Sequence, residues 1–292
     1  MQSQFSAQNN GTWPDGTVCS ALDVDYLVVG AGGRGRGGGG GAGGYRTSFP
    51  GGTKATLRTA QGPFTITIGA GNGNDTVAFD GKPFSITSAG GGSGASFGCC
   101  SGGPGGSGGG GTGKAPSGAG RPGGTGNTPP VSPPQGNPGG AGQTPFNSAG
   151  GGGANAAGGT APSCTVAGNG GAGLDNSITG SSVRYADGGG GTNQNDSIQP
   201  GAGGLAGGPS GGRGAYASQS GGSDGAANTG GGAGGGWCSA GGTGGPGIVV
   251  VRVPGPTAPP ALAVSPGCNT LTTHPGGDKI AKFTVNGTLT VS

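Results

Sequence analysis

The chain is poor in the residues that build helices. It contains no glutamate, one methionine and only five lysines, whereas Gly and Pro, the two strongest helix breakers, occur 85 and 23 times. Charged residues make up 8% of the sequence, and the net charge is +3. This composition predicts little or no α-helix, and the weak charge gives no reason to expect a nucleic-acid partner.

Large apolar residues are also few. Leu, Ile, Val and Phe together number 38, which is less than a conventional core requires. Such a chain is either a disordered linker or a fold stabilised mainly by backbone hydrogen bonds. Disorder normally accompanies a high net charge, which is missing here. No apolar run is long enough to cross a membrane, and the first residues lack the basic and apolar regions of a signal peptide, so membrane insertion is not expected.

Seven segments of strand character interrupt the glycine. Their β-branched and aromatic residues are bounded by Gly, Asn and Asp, which is the usual strand signal. They comprise residues 26–29, 64–68, 76–79, 84–87, 181–185, 248–253 and 282–291. Segments 64–68 and 84–87 alternate apolar with polar residues, which indicates one buried face. A disordered linker has no need of a buried face, so we expect an ordered fold.

The glycine tracts suit the polyproline II conformation. Its three residues per turn leave every N–H and C=O pointing outward to a neighbouring segment, and the missing Cβ atoms allow close approach of backbones. We therefore predict an all-β protein with a polyproline/polyglycine II helix bundle, in which short strands frame packed glycine-rich segments. Collagen is excluded, because glycine does not recur at every third position.

Motifs that suggest enzymes have simpler explanations. The stretch GAGGRG (residues 30–35) follows a strand, but a dinucleotide site requires a helix next, and here more glycine follows. His274 is the only histidine and lies in a polar Thr–Pro–Gly context, typical of an exposed turn. We therefore predict no catalytic residues, no metal site and no cofactor.

Six cysteines stand in a chain that is short of apolar core. They are Cys19, Cys99, Cys100, Cys164, Cys238 and Cys268. No CxxC pair is present, and only one histidine is available as a nitrogen ligand, so zinc is not expected. Disulfides would restrict the unfolded chain; the candidate pairs are Cys99 or Cys100 with Cys164 or Cys238, and Cys19 with Cys268. Buried reduced cysteine is the alternative.

An ordered series of six blocks carries a family resemblance. The blocks are DYLVVGAGG with a glycine run ending in GGYR, TITIGAG, SITSAGGG, SITGSSVRYADGGGG, NTGGGAGGGW and GGPGIVVVRV. The series resembles the glycine-rich domain of bacteriophage tail-fibre and related virion proteins. More distantly, the composition is similar to that of tail-fibre adhesins built as polyglycine II sandwiches. The resemblance implies a virion location, with assembly in a host cytoplasm and exposure outside the cell.

The resemblance also divides the chain into four parts. These are an N-terminal extension (1–23), the glycine-rich β/polyglycine II domain (24–253), a Pro-rich linker (254–275) and a C-terminal hairpin or strand (276–292). Relatives place a segment like 276–291 directly before the first strand. The C-terminal segment is therefore expected to pair with residues 26–29, either in the same chain or in a neighbouring subunit. Asn286 and Gly287 are a candidate tight turn within it.

Receptor binding is expected where the glycine pattern breaks. The candidate contact residues are Phe146, Asn193, Gln194, Asn195, Arg213, Tyr216 and Gln219. Tyrosine offers a rigid amphipathic surface, and amides offer hydrogen bonds suited to glycans or protein loops; ordinary solvent-facing loops are the alternative.

Three function classes follow from these residues. A phage surface adhesin that binds a host glycan or outer-membrane protein comes first. A structural virion decoration or filament subunit, linked to other virion proteins by C-terminal strand addition, is the alternative, and a homo-oligomer stays open. Ice binding is disfavoured, because charged and Pro-rich stretches interrupt any flat small-residue face.

Overall fold

The protein is all-β and contains no α-helix among the residues that its computed structural model describes. These are residues 21–58, 62–97, 100–113, 120–144, 147–162, 166–193, 200–204, 211–212, 214, 221–237, 241–257 and 262–291. The strands are β1 (Ala21–Val29), β2 (Tyr45–Thr47), β3 (Ala55–Arg58), β4 (Phe64–Thr67), β5 (Thr76–Asp80), β6 (Ile86–Ser88), β7 (Leu174–Asn176), β8 (Val183–Tyr185), β9 (Ile248–Val253), β10 (Leu262–Ser265), β11 (Thr270–Thr273), β12 (Lys279–Phe283) and β13 (Gly287–Val291). A short 3-10 turn, Gly255–Thr257, follows β9.

The first sheet is antiparallel and has the strand order β11-β12-β9-β1-β2, with β3 also paired to β1. Its central strand β9 is apolar at every position except Arg252, because both faces are covered. Val249, Val251 and Val253 face one buried cluster, whereas Ile248 and Val250 face a second cluster that includes Ile178 and Tyr185.

The second sheet has the order β10-β13-β4-β5-β6 and packs against one face of the first. Three of its aromatic rings contact one another, with centroids 5.7 to 6.1 Å apart. These are Phe64, Phe79 and Phe84. The resulting β-sandwich holds most of the large apolar residues, which explains how so few of them suffice.

The C-terminal segment is an integral part of this sandwich, in the same chain. β12 lies between β9 and β11, and β13 lies between β10 and β4. The expected direct pairing of residues 282–291 with 26–29 is therefore wrong, because β9 separates β12 from β1. The Asn286–Gly287 hairpin is wrong as well, since β12 and β13 belong to different sheets. Asn286 Oδ1 instead accepts a hydrogen bond from the Ile68 N–H at 2.8 Å.

Most of the predicted strands are present, with shifted ends. Residues 248–253 form β9 as expected, but β6 begins at Ile86 rather than at residue 84. The segment 254–275, expected to be a linker, contains β10 and β11, which pair with β13 and β12. Short strands β2, β3 and β7 were not predicted, because three or four residues carry too little pattern.

The glycine tracts form the predicted polyglycine II bundle, as residues 37–44 show. Successive N–H groups donate in rotation to three different neighbouring segments at 2.7 to 3.0 Å. Gly38, Gly41 and Gly44 donate to Ala95, Gly92 and Ala89; Gly39 and Ala42 to Ala149 and Gly152; Gly40 and Gly43 to Ala233 and Gly230. A partner that recurs every third residue is the signature of a helix with three residues per turn.

Carbonyl groups of the same tract accept from three further segments. Gly37 and Gly40 accept from Thr192 and Gly189, Gly39 and Ala42 from Gly110 and Ser107, and Gly41 and Gly44 from Gly33 and Gly30. This helix is therefore surrounded by six others and lies at a centre of the bundle. A Cβ on Gly41 would overlap the carbonyl oxygen of Ser107, so such close packing requires glycine.

Candidate functional site

The bundle has one end at the sheets and one end far from them. Gly44 and Ala89 directly adjoin β2 and β6, whereas Gly38 pairs with Ala95 at the opposite end of the same two tracts. At about 3.1 Å per residue, the far end lies roughly 20 Å from the sheets. We call it the distal end; it comprises residues 36–37, 96–97, 112–113, 147–148, 192–193 and 236–237.

An aromatic pair and an arginine lie at the distal end. The rings of Phe97 and Trp237 are 4.7 Å apart and half-buried. A Cβ on Gly37 would lie 2.8 Å from the Phe97 ring, so this glycine makes room for the pair. Beside it, Arg36 is exposed, and its Nη1 donates to Ser96 Oγ at 3.0 Å.

The distal end and the residues just before it carry a local positive charge. Arg34 and Arg36 are both exposed, while the glycines on either side of them are buried. In the part of the chain that the structure describes, neither arginine forms an ion pair. Their charge is therefore available to an anionic surface.

Of the receptor-contact residues predicted from the sequence, the structure describes only Asn193. Asn193 is buried, with no exposed surface, which disfavours its expected contact with a receptor. The other candidates lie outside the described residues. They are Phe146, Gln194, Asn195, Arg213, Tyr216 and Gln219. Tracts adjoining 145–146 and 194–199 have their last described residues at the distal end.

The cysteines are described only in part. Cys100 and Cys268 are exposed, and the thiol of Cys268 is free in the structure. Cys19, Cys99, Cys164 and Cys238 lie outside the described residues. The proposed disulfides, including the one between Cys19 and Cys268, stay predictions.

A second feature is a cleft of about 610 Å³ beside the edge strand β2. Its walls come from the first sheet, from the loop after β2, from β7 and from a proline-containing segment of the bundle. The lining residues are Tyr26, Tyr45, Arg46, Thr47, Gly52, Thr53, Ser132, Pro133, Pro134 and Leu174. None was singled out from the sequence, although Tyr45 and Arg46 directly follow a long glycine run, and that change in composition is a usable signal.

Asn176 holds the lining residue Tyr45 in place. Its Nδ2 donates to Tyr45 Oη at 2.7 Å and to the carbonyl of Phe49 at 3.1 Å. Burial raises the pKa of Tyr45, an effect that the hydrogen bond with Asn176 opposes and that Asp175 reinforces. Burial likewise raises the pKa of the neighbouring Tyr185 to about 12. Both hydroxyl groups are therefore neutral at pH 7.

The proline wall is held by two amide side chains. Asn127 Oδ1 accepts from the backbone N–H groups of Val131 and Gln135, at 3.1 and 3.2 Å. The Gln135 side chain donates to Pro129 O and accepts from Ala89 N–H, both at 2.9 Å. The wall is thus tied to the bundle at both of its ends, and the cleft is preformed.

The described residues contain neither a metal-binding cluster nor a membrane-spanning helix. They hold no cluster of three or more His, Cys, Asp or Glu side chains that could bind a metal ion. Within the same ranges, no helix has the length and apolar character needed to cross a membrane.

Comparison with known proteins identifies the family of the chain. No curated protein matches it. No solved structure matches it either. The family model described as "Glycine-rich domain" matches residues 7–254, which include both the bundle and strands β1 to β9. The chain therefore belongs to the glycine-rich domain family.

Proposed function

We propose that this chain is a phage virion surface protein that acts as an adhesin and binds a host-cell receptor at the distal end of its bundle. The observation that carries the proposal is the convergence of the tract ends on one face, roughly 20 Å from the sheets. The order of the glycine blocks, which resembles that of tail-fibre proteins, supports a virion setting.

The architecture suits display. Each tract is fixed by hydrogen bonds along its length, so segments at the tract ends can differ in sequence without changing the scaffold. Binding residues commonly lie on loops that a rigid scaffold positions. Arg36, together with the Phe97–Trp237 pair, provides charge and aromatic surface, the two features enriched at binding hot spots.

The expected receptor is a bacterial-surface glycan or an outer-membrane protein. Cell surfaces that carry phosphate or carboxylate groups would attract Arg34 and Arg36 over several ångströms before contact. The purely structural alternative receives less support, because β13 already has both of its strand neighbours within the chain. It is therefore not available to add to the sheet of another subunit.

Fluorescently labelled protein incubated with a panel of bacterial cells tests the proposal. We expect saturable binding to some strains, reduced at least tenfold by Arg36→Ala combined with Arg34→Ala, since both arginines are exposed. Arg58→Ala is the matched control, since Arg58 is exposed on β3 at the sheet end. Thermal unfolding midpoints of all variants should agree within a few degrees. Binding to no strain, or binding that the double variant retains, would overturn the distal-end adhesin.

A further inference from the structure

We infer that the cleft beside β2 is a binding site for a carboxylated saccharide. The site is separate from the distal end and does not depend on the adhesin proposal. Its volume of about 610 Å³ lies in the range of small-ligand pockets. It is large enough for two or three sugar rings.

The lining chemistry points to a sugar with an acidic group. Tyr26, Tyr45 and two prolines supply flat apolar surface for the C–H faces of a pyranose. A guanidinium has five N–H donors, and among the described residues Arg46 uses one, from Nη1 to Thr87 O at 3.2 Å. The remaining donors can hold a carboxylate in bidentate fashion. None of the lining residues is Asp or Glu, so nothing in the lining repels an anion.

Polar groups around the ring surface suit hydroxyl groups. In the described part of the chain, no side chain or backbone group hydrogen-bonds the Tyr26 hydroxyl. Thr53 and Ser132 are exposed, and they come from two different segments of the lining. Two carboxylates adjoin lining residues. Asp25 is occupied by the ion pair with Lys54 at 3.2 Å and by the Ser48 hydroxyl at 3.0 Å, and Asp175, which follows Leu174, is exposed.

A peptide added as a further strand does not fit this cleft. The outer edge of β2 is already used, since the Tyr45 N–H donates to the Gln135 carbonyl at 2.8 Å. Peptides that extend a sheet need such an edge to be open. A ligand that is recognised through ring faces, hydroxyls and a carboxylate does not need it.

Titration calorimetry with two matched probes tests the assignment. One probe is a tetrasaccharide that contains glucuronate, and the other is its carboxyl-reduced, neutral form. We expect the intact protein to bind the acidic probe at least tenfold more tightly than the neutral one. Arg46→Gln should remove this preference, and Tyr26→Phe should weaken binding of both probes several-fold.

Arg58→Gln serves as the matched control. Arg58 pairs with Ala21 in the register of β1 and β3, five positions along β1 from Tyr26, or roughly 16 Å. It should bind both probes as the parent does. Equal affinity for the two probes, no binding of either, or an unchanged preference in Arg46→Gln would overturn the site. Because cells are absent from the assay, its failure would leave the distal-end adhesin intact.

Discussion

Asp278 accepts a hydrogen bond of 2.7 Å from Nε of Arg252 and so ties the turn before β12 to β9. The other carboxylate oxygen accepts from the Gly255 N–H at 2.9 Å. The Arg252 guanidinium also lies over the ring of Phe49, 5.1 Å from its centroid. One ion pair thus connects the C-terminal strands to the loop after β2.

This ion pair predicts an acid-sensitive contribution to stability. The Gly255 N–H and, next, the Arg252 side chain lower the pKa of Asp278. A carboxyl group with a lowered folded pKa stabilises the fold above its unfolded pKa, and that stability is lost as the pH falls through the folded pKa. Asp278→Asn should therefore lower the unfolding midpoint at pH 6, and the gap to the parent should narrow as the pH falls below about 3.9, the ordinary pKa of an unfolded aspartate. Chemical denaturation at a series of pH values measures the gap, and a gap that does not narrow on acidification would contradict the prediction.

Tyr185 predicts the opposite behaviour at high pH. Its pKa is raised to about 12 by burial and by Tyr45, whereas an unfolded tyrosine ionises near 10. Stability should be intact below pH 10 and fall as the pH rises from 10 towards 12, because the unfolded state releases its proton first. Tyr185→Phe should flatten this decline, as followed by fluorescence-detected unfolding. A slope equal to that of the parent would show that Tyr185 does not titrate in this way.

Glycine positions should differ sharply in their tolerance of alanine. Gly41→Ala places a methyl group onto the carbonyl oxygen of Ser107 in the middle of the bundle, and we expect a loss of about 3 kcal/mol or more. Gly267→Ala is the control, because its Cβ meets nothing within 4 Å. It should change the free energy of unfolding by less than about 0.5 kcal/mol. Equal effects would mean that the bundle can relax around a side chain.

Two buried serines should also respond differently. The Ser48 hydroxyl donates to Asp25 at 3.0 Å and accepts from the Tyr26 N–H at 2.9 Å, so Ser48→Ala should cost about 1–3 kcal/mol. The Ser148 hydroxyl is buried, and no described group hydrogen-bonds it. Ser148→Ala should therefore be neutral or slightly stabilising. A loss at Ser148 as large as that at Ser48 would reveal a partner for the hydroxyl.

Deletion of residues 276–292 should abolish the native fold. It removes β12 and β13, each of which lies between two other strands, together with the fully buried Phe283 and Leu289. We expect loss of the cooperative unfolding transition and aggregation through the exposed edges of β9, β11, β4 and β10. A truncated protein that unfolds cooperatively would show that the sandwich does not need these strands.

Much of the fold could be predicted from composition and local sequence pattern. The absence of helix was predicted from the scarcity of helix formers, and β9 was predicted from an apolar run that only Arg252 interrupts. Local patterns did not predict which strands pair. β12 lies beside β9 rather than beside β1, because strand pairing depends on how both sheets pack together. The burial of Asn193 was not predicted, because a polar residue after a glycine tract resembles a loop. The cleft was missed because its walls are far apart in sequence, from Tyr26 to Leu174.

The rotation of hydrogen bonds in residues 37–44 limits how such a tract can change in length. Removing one residue would turn every later N–H by a third of a turn and aim it at a different neighbour. Removing three residues would aim each later N–H at its original neighbouring segment again and would only shorten the helix by one turn. The fold should therefore tolerate insertions and deletions inside the bundle in multiples of three residues. Segments beyond the tract ends can change by any number of residues. Over evolutionary time, the scaffold would thus change in whole turns while the displayed segments vary residue by residue.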